Sequence, residues 1–357
     1  MSAKIAILLP YKENFSKNNS GSVSLFVKDI NQKSIYLKFI NIYGNTIYKP
    51  SPGFSYKNME TTFMHRFGRN KFHTKSFIKK IRLNPSLKLI EIHNRPISAL
   101  MIKKELPKMK LVFYYHNDPL SMKGFISNES RKKLLDSCET IYFVSDYIKK
   151  QFLNNLKANK TDHKKLLVLY NGINPSTKNK KTRIKNIIFV GRLEKNKGFF
   201  EFLEVAYKIL NEFTDWQVDI FGSSNKGLIP ISEKSQLKYH GHVSNDKVLE
   251  YLSKSSISII PALWNEPFGR TLIESINAGC AVISSQKGGL SEISQYFELI
   301  KLRNPSKISI YNAIKKLIMT PDELQKLQGN SIKNSPFNLK NIITYHDNQR
   351  SQLISQK

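Results

Sequence analysis

Two carboxylates, Glu266 and Glu274, stand eight residues apart in the segment Pro261-Ala262-Leu263-Trp264-Asn265-Glu266-Pro267-Phe268-Gly269-Arg270-Thr271-Leu272-Ile273-Glu274. Carboxylates accept hydrogen bonds from hydroxyls, which suits them to a sugar or a ribose. Between them Gly269 lets the backbone turn closely into a helix. The free amides of that helix start, around Gly269, Arg270 and Thr271, would meet an anion such as a diphosphate at the positive end of the helix dipole. A single glutamate at a helix start is ordinarily a solvated first-turn acid; a pair flanking one glycine turn favours a ligand. A second cluster, Phe189-Val190-Gly191-Arg192-Leu193-Glu194-Lys195-Asn196-Lys197-Gly198, runs a strand into a glycine and then cations before a helix. Arg192 offers a rigid fork and Lys197 a mobile point charge, able together to follow charge developing on a leaving diphosphate. The plain alternative is an exposed loop of a lysine-rich chain.

These residues need strand ends and helix starts to hold them, and the chain supplies both. Short apolar strands alternate with helical patterns from end to end, the signature of parallel α/β layers. Strands are predicted over Lys4–Leu9, Ile35–Ile42, Leu87–Ile92, Leu111–His116, Ile141–Val144 and Leu166–Tyr170. A second set follows at Asn186–Val190, Gln217–Phe221, Leu237–His240, Ile257–Pro261 and Ala281–Ser285, with helices at Gly198–Leu210, Asp246–Ser253 and Arg270–Ala278. Residues 1–174 are read as an N-terminal Rossmann-like domain, 175–184 as a polar, lysine-rich linker, and 185–335 as a C-terminal Rossmann-like domain. Residues 336–357 form a tail or helix expected to pack back on the N-terminal domain. Ligands of such sheets bind outside the carboxyl ends of the strands, so the expectation is two doubly wound domains facing each other across a cleft.

The chain has 357 residues, 40% hydrophobic and 11% aromatic, a globular composition large enough for two cores. No apolar run approaches the roughly 18 residues that span a bilayer, and the run Ile5 to Leu9 is too short for a signal-peptide core. The expected location is therefore cytoplasmic. Two cysteines, Cys138 and Cys280, lack the spacing of a metal or redox site. There are 57 basic and 27 acidic residues, a formal +30. Residues 1–172 hold 31 basic against 11 acidic residues, so the N-terminal half carries most of the excess. Such charge attracts polyanions: nucleic acid, or an anionic membrane surface at which the protein would sit peripherally on the inner face. Compositional bias toward lysine is the third reading. Nucleic acid is disfavoured, since the aromatics do not alternate with basic residues and no recognition motif is present. The basic stretches Phe77–Arg82 and Tyr147–Lys165 alternate apolar residues with lysines, as surface-seeking helices do.

The second half resembles the large retaining glycosyltransferase family typified by bacterial lipopolysaccharide and sucrose-type hexosyltransferases, the glycosyl transferases group 1. Val190-Gly191-Arg192-Leu193 through Lys197-Gly198 resembles its diphosphate-binding turn, Phe221-Gly222 a strand end, Gly241-His242-Val243 the next loop, and Glu266 to Glu274 its two-glutamate signature. The resemblance implies the GT-B fold, with residues 1–174 as the acceptor-binding domain and residues 185–335 as the nucleotide-sugar-binding domain. It implies that Glu274 binds the donor ribose, that Glu266 contacts the transferred sugar or its phosphate, and that Arg192 with Lys197 holds the diphosphate. Phe268, Gly269, Arg270 and Thr271 complete the donor site. In the first half, Asn171-Gly172-Ile173 matches the turn before the interdomain linker, and His116-Asn117-Asp118 matches the position of a histidine near the transferred sugar. His93, in Glu91-Ile92-His93-Asn94-Arg95-Pro96, also ends a strand, and a satisfied structural hydrogen bond is the expectation for it. The loop after the first strand departs from the family pattern, its glycine, Gly21, coming only after a polar detour through Lys12 to Ser20. The expected activity is retaining, metal-independent transfer of a hexose from a nucleotide diphosphate sugar, with uridine as base, to a glycan or lipid-linked acceptor, as in lipopolysaccharide or surface polysaccharide synthesis. No cofactor and no metal is expected, the sequence having no Asp-x-Asp. The alternatives are a nucleotide-sugar epimerase of the same architecture and a polyanion-binding protein.

Overall fold

The computed structural model describes residues 3–59, 68–176, 183–224 and 235–355. The chain divides into two compact units, Met1–Gly172 with Leu339–Lys357, and Ile173–Asn338. Residues 177–182 of the expected linker lie outside the described residues.

The first unit contains β1 (Ile5–Leu8), α1 (Ser22–Asn31), β2 (Ile40–Gly44), β3 (Tyr56–Asn58), α2 (Arg69–Ile81), β4 (Leu89–His93), α3 (Pro96–Glu105), β5 (Lys110–Tyr115), α4 (Asn128–Ser137), β6 (Thr140–Phe143), α5 (Asp146–Leu153), α6 (Lys160–Lys165) and β7 (Leu166–Val168). Its strands form one sheet in the order β3-β2-β1-β4-β5-β6-β7, with every pairing parallel. All four residues of β1 are buried. A strand covered on both faces reads as a continuous apolar run, which is why β1 and β4 to β6 are visible in the sequence. Edge strand β3 is Tyr-Lys-Asn, a polar triplet that carries no such signal. Ile35 is 71% exposed. The strand expected from Ile35 begins only at Ile40, because Asp347 accepts from Ser34 Oγ and Ile35 N and a 3-10 turn over Leu37–Phe39 intervenes.

The second unit contains β8 (Ile184–Val190), α7 (Phe199–Glu212), β9 (Gln217–Phe221), β10 (Leu237–Tyr239), α8 (Asn245–Leu252), β11 (Ser255–Ile260), α9 (Arg270–Ala278), β12 (Ala281–Ser285), α10 (Gly289–Ile293), β13 (Ile300–Leu302), α11 (Lys307–Met319) and α12 (Pro321–Leu327). The sheet order is β10-β9-β8-β11-β12-β13, again parallel throughout. Ile184 thus belongs to β8 and not to a linker. α7 buries Phe199, Phe202, Leu203, Val205, Ala206, Ile209 and Leu210, an i, i+3, i+4 stripe packed on the sheet core with Ile187 and Ile257.

α13 (Leu339–Ser355) returns to the first unit. Arg350, 1% exposed, donates from Nε and from an Nη to both oxygens of Glu91 at 2.7 and 2.8 Å. A two-pronged pair of this kind is among the strongest charge-assisted contacts. His346 Nε2 lies 2.6 Å from the Tyr114 hydroxyl.

The surface-seeking reading of Phe77–Arg82 and Tyr147–Lys165 is corrected by the packing. Phe77, Ile78 and Ile81 of α2, and Ile148 and Phe152 of α5, are buried in the unit's own core. The second stretch is broken by Asn155 in the left-handed region before α6. The main apolar positions of these helices are thus spent in the unit's core.

Candidate active site

In the second unit the chain direction across the sheet reverses between β8 and β11, the point at which doubly wound sheets open a crevice. The loop after β8 carries Arg192 and Lys197; the loop after β11 carries Trp264 and Glu266. Their backbones are joined, the Asn196 carbonyl accepting from Leu263 N at 2.9 Å and from Trp264 N at 3.3 Å. This closeness requires Gly198: its φ is +69°, and a Cβ there would lie 1.9 Å from the Pro261 carbonyl oxygen.

Lys197 Nζ pairs with Glu266 Oε1, and the same oxygen accepts the Trp264 indole N–H at 2.8 Å. The ammonium also lies 5.1 Å from the Trp264 ring centroid, in cation–π range. Glu266 is 8% exposed, so its charge is matched by that cation and donor pair as a buried carboxylate requires. Its backbone oxygen accepts Gly289 N at 2.7 Å, which ties the loop to the start of α10. Arg192, in contrast, is exposed and paired with Glu194 at 3.1 Å.

Gly269, at φ +112°, starts α9, and a Cβ on it would meet Leu290 Cδ2 at 2.3 Å. Glu274 is 4% exposed and accepts Arg270 Nε at 2.7 Å, an i, i+4 pair along the helix. Arg270 therefore serves Glu274 directly. Phe268 is buried, its ring edge-on to Phe337, so its backbone is what it has left for a ligand. Thr271 is half-buried in the first turn of α9. Trp264 and the Gly288-Gly289 turn are contributors that residue spacing alone does not reveal. The placement of Trp and Glu two residues apart is the only local signal for the first, and nothing local points to the second.

The sheet of the first unit reverses between β1 and β4. His93 ends β4 and His116 follows β5, and the two rings meet: His93 Nδ1 lies 2.9 Å from His116 Nε2. Asn94, at φ +54°, accepts His116 N on its side-chain oxygen at 2.7 Å. Burial pushes the His116 pKa down to about 3 and holds that of His93 well below its ordinary value, with the neighbouring His116 and Arg350 adding to the latter. From the polar detour Lys12 to Ser20, the Glu13 carboxylate reaches the start of α1, where Oε1 accepts Ser24 N at 2.9 Å.

Comparison with known proteins bears on this geometry. Residues 173–334 match the model of the family described as glycosyl transferases group 1. The Bacillus subtilis protein YtcC is 25% identical over 241 residues, 59% of this chain and 58% of its own length, so the chain spans less than two thirds of that relative. Among solved structures, HepE of Anabaena in complex with UDP-glucose superposes with a TM-score of 0.74 at 14% identity, over 98% of this chain and 99% of that one. WaaG, a glycosyltransferase involved in lipopolysaccharide biosynthesis, gives 0.71 at 13% identity over 99% and 100%. The fold is GT-B. Nothing in these likenesses supports the epimerase alternative.

Proposed function

We propose that the chain is a retaining glycosyltransferase that moves a hexose from a UDP-sugar to a glycan or lipid-linked acceptor, in lipopolysaccharide or surface polysaccharide synthesis. The observation that carries this reading is the Lys197–Glu266 pair held at the β8/β11 reversal, with buried Glu274 one turn into α9. Support comes from the family match over the same residues and from the UDP-glucose complex of HepE.

In this reading the bond between the anomeric carbon and the diphosphate breaks, and negative charge grows on the departing phosphate. Lys197, Arg192 and the amides at the start of α9 stabilise that charge, which is usually the largest single contribution to the rate of such reactions. Glu266 accepts from hydroxyls of the transferred sugar, Glu274 from the ribose, and His116 contributes a hydrogen bond to the sugar. The acceptor oxygen attacks from the side the diphosphate leaves, and its proton passes to a phosphate oxygen, so configuration is retained. Cations supplied by side chains make the step metal-independent, with no cofactor.

The test is release of nucleoside diphosphate from a panel of nucleotide sugars in the presence of a chelator, with Lys197→Ala and Glu274→Ala beside the intact protein. One donor should be consumed, both substitutions should suppress it about 100- to 1,000-fold, and the product anomer should match the donor's. An inverted anomer removes retention. No binding or consumption of any donor removes the transferase reading and brings polyanion binding to the front.

A further inference from the structure

His93 and His116 of the first unit form an N···N contact that a single proton bridges. His93 Nδ1 and His116 Nε2 are 2.9 Å apart, so one nitrogen donates and the other accepts. Two neutral arrangements are possible. In the first, His116 Nε2–H donates to His93 Nδ1, which leaves His93 with its proton on Nε2. That atom is buried and has no hydrogen-bond partner among the described residues, and a buried N–H without an acceptor is costly and rare. It also lies in a ring that feels the positive charge of Arg350. In the second, His93 Nδ1–H donates to His116 Nε2, His93 Nε2 is a bare lone pair under the influence of that same cation, and His116 carries its proton on Nδ1.

The rest of the packing fixes both rings in this relation. His93 stacks on Tyr114 with centroids 4.4 Å apart and 18° between planes, and Tyr114 is itself held by His346 on α13. Phe26 of α1 stands edge-on to His116 at 4.9 Å and to His93 at 6.1 Å. The Asn94 side chain holds the His116 backbone at 2.7 Å. Ring flips that would break the Nδ1···Nε2 contact are thereby opposed by Tyr114, Phe26 and Asn94.

We propose that His93 is a positioning residue that locks His116 as the neutral Nδ1–H tautomer, so that His116 meets its ligand as a hydrogen-bond donor and not as a base. This rests on the reading that His116 contacts the transferred sugar. A donor there fits a hydroxyl or phosphate oxygen of a nucleotide sugar. Proton removal from the acceptor then falls to the departing phosphate. Burial keeps the pair uncharged near neutral pH, in keeping with a single shared proton on the N···N line.

The experiment uses the full chain labelled with ¹⁵N-histidine, the His116 signals being assigned with His116→Gln. Two-bond ¹H–¹⁵N spectra at pH 7 distinguish the tautomers directly. His116 should show a protonated Nδ1 and a bare Nε2. His93→Phe keeps the ring on Tyr114 and removes the donor; it should release His116 toward the Nε2–H form and lower kcat about tenfold, the worth of one hydrogen bond, with KM for the donor sugar within about twofold. His93→Asn, whose amide stands where Nδ1 does, should restore the tautomer and most of kcat, and it keeps the test open if the Phe variant folds poorly. A protonated Nε2 on His116 in the unaltered protein overturns the proposal, as does His93→Phe with unchanged tautomer and kcat. If the unaltered protein consumes no nucleotide sugar, the functional reading fails instead, while the spectra still decide the tautomer.

Discussion

Glu266 Oε1 is shared by two donors of different kinds, the Lys197 ammonium and the Trp264 indole N–H. The ammonium carries charge that a leaving phosphate can use, whereas the indole only fixes where the carboxylate points. Trp264→Phe keeps an aromatic face beside Lys197 but deletes the hydrogen bond to a charged acceptor, worth about 1.5 kcal/mol or more. Donor turnover is expected to fall about tenfold, measured by nucleoside diphosphate release; turnover equal to that of the unaltered protein would show that Lys197 alone sets the carboxylate.

At the scale of elements, β4, β5 and α13 share one buried polar core. His93 and His346 are both 0% exposed, and burial first, then the charge of Arg350 and neighbouring histidines, holds their pKa values well below the ordinary 6.5. The unfolded chain therefore binds their protons first as pH falls. Their contribution to stability is complete above about pH 6.5 and is lost below it, at about 1.4 kcal/mol per pH unit for each ring. Buried Glu13, whose carboxyl is raised by burial, works in the opposite sense and offsets part of this. Hydrogen exchange of β4, β5 and α13 amides, corrected for intrinsic rates, should show less protection at pH 5 than at pH 7. Equal protection would mean that these rings are charged or solvated in the folded unit.

At the scale of the molecule the +30 charge is concentrated in residues 1–172. No helix among the described residues is long and apolar enough to cross a membrane, and Phe77, Ile78 and Ile81 of α2 and Ile148 and Phe152 of α5 are buried. Attraction to an anionic membrane, as the proposed lipid-linked acceptor invites, would then be Coulombic, and screened once the Debye length falls below about 8 Å. The protein is expected to sediment with anionic vesicles at low salt and to be released at 0.5 M, roughly three times physiological ionic strength. Retention at high salt would point to apolar insertion; no sedimentation at low salt would remove the membrane from the partners.

The alternation of buried strands and amphipathic helices, the glycine-and-cation turn from Gly191 to Gly198 and the Glu266 to Glu274 spacing were legible in the sequence. Side-chain period and turn chemistry are local properties, fixed by the pleat, the helical repeat and the φ angles each residue tolerates. Gln217–Phe221, Ala281–Ser285 and Arg270–Ala278 accordingly have the expected ends. Edge strand β3, Tyr-Lys-Asn, has no apolar run to reveal it, whereas the equally short edge strand β7, Leu-Leu-Val, does. The pairing of Lys197 with Glu266, 69 residues apart, was decided by the neighbouring places of β8 and β11 in the sheet. The meeting of His93 with His116 was likewise decided by the β4/β5 register, which sets His93 opposite Tyr114. Strand order is the outcome of packing whole faces against one another, and no window of sequence contains it.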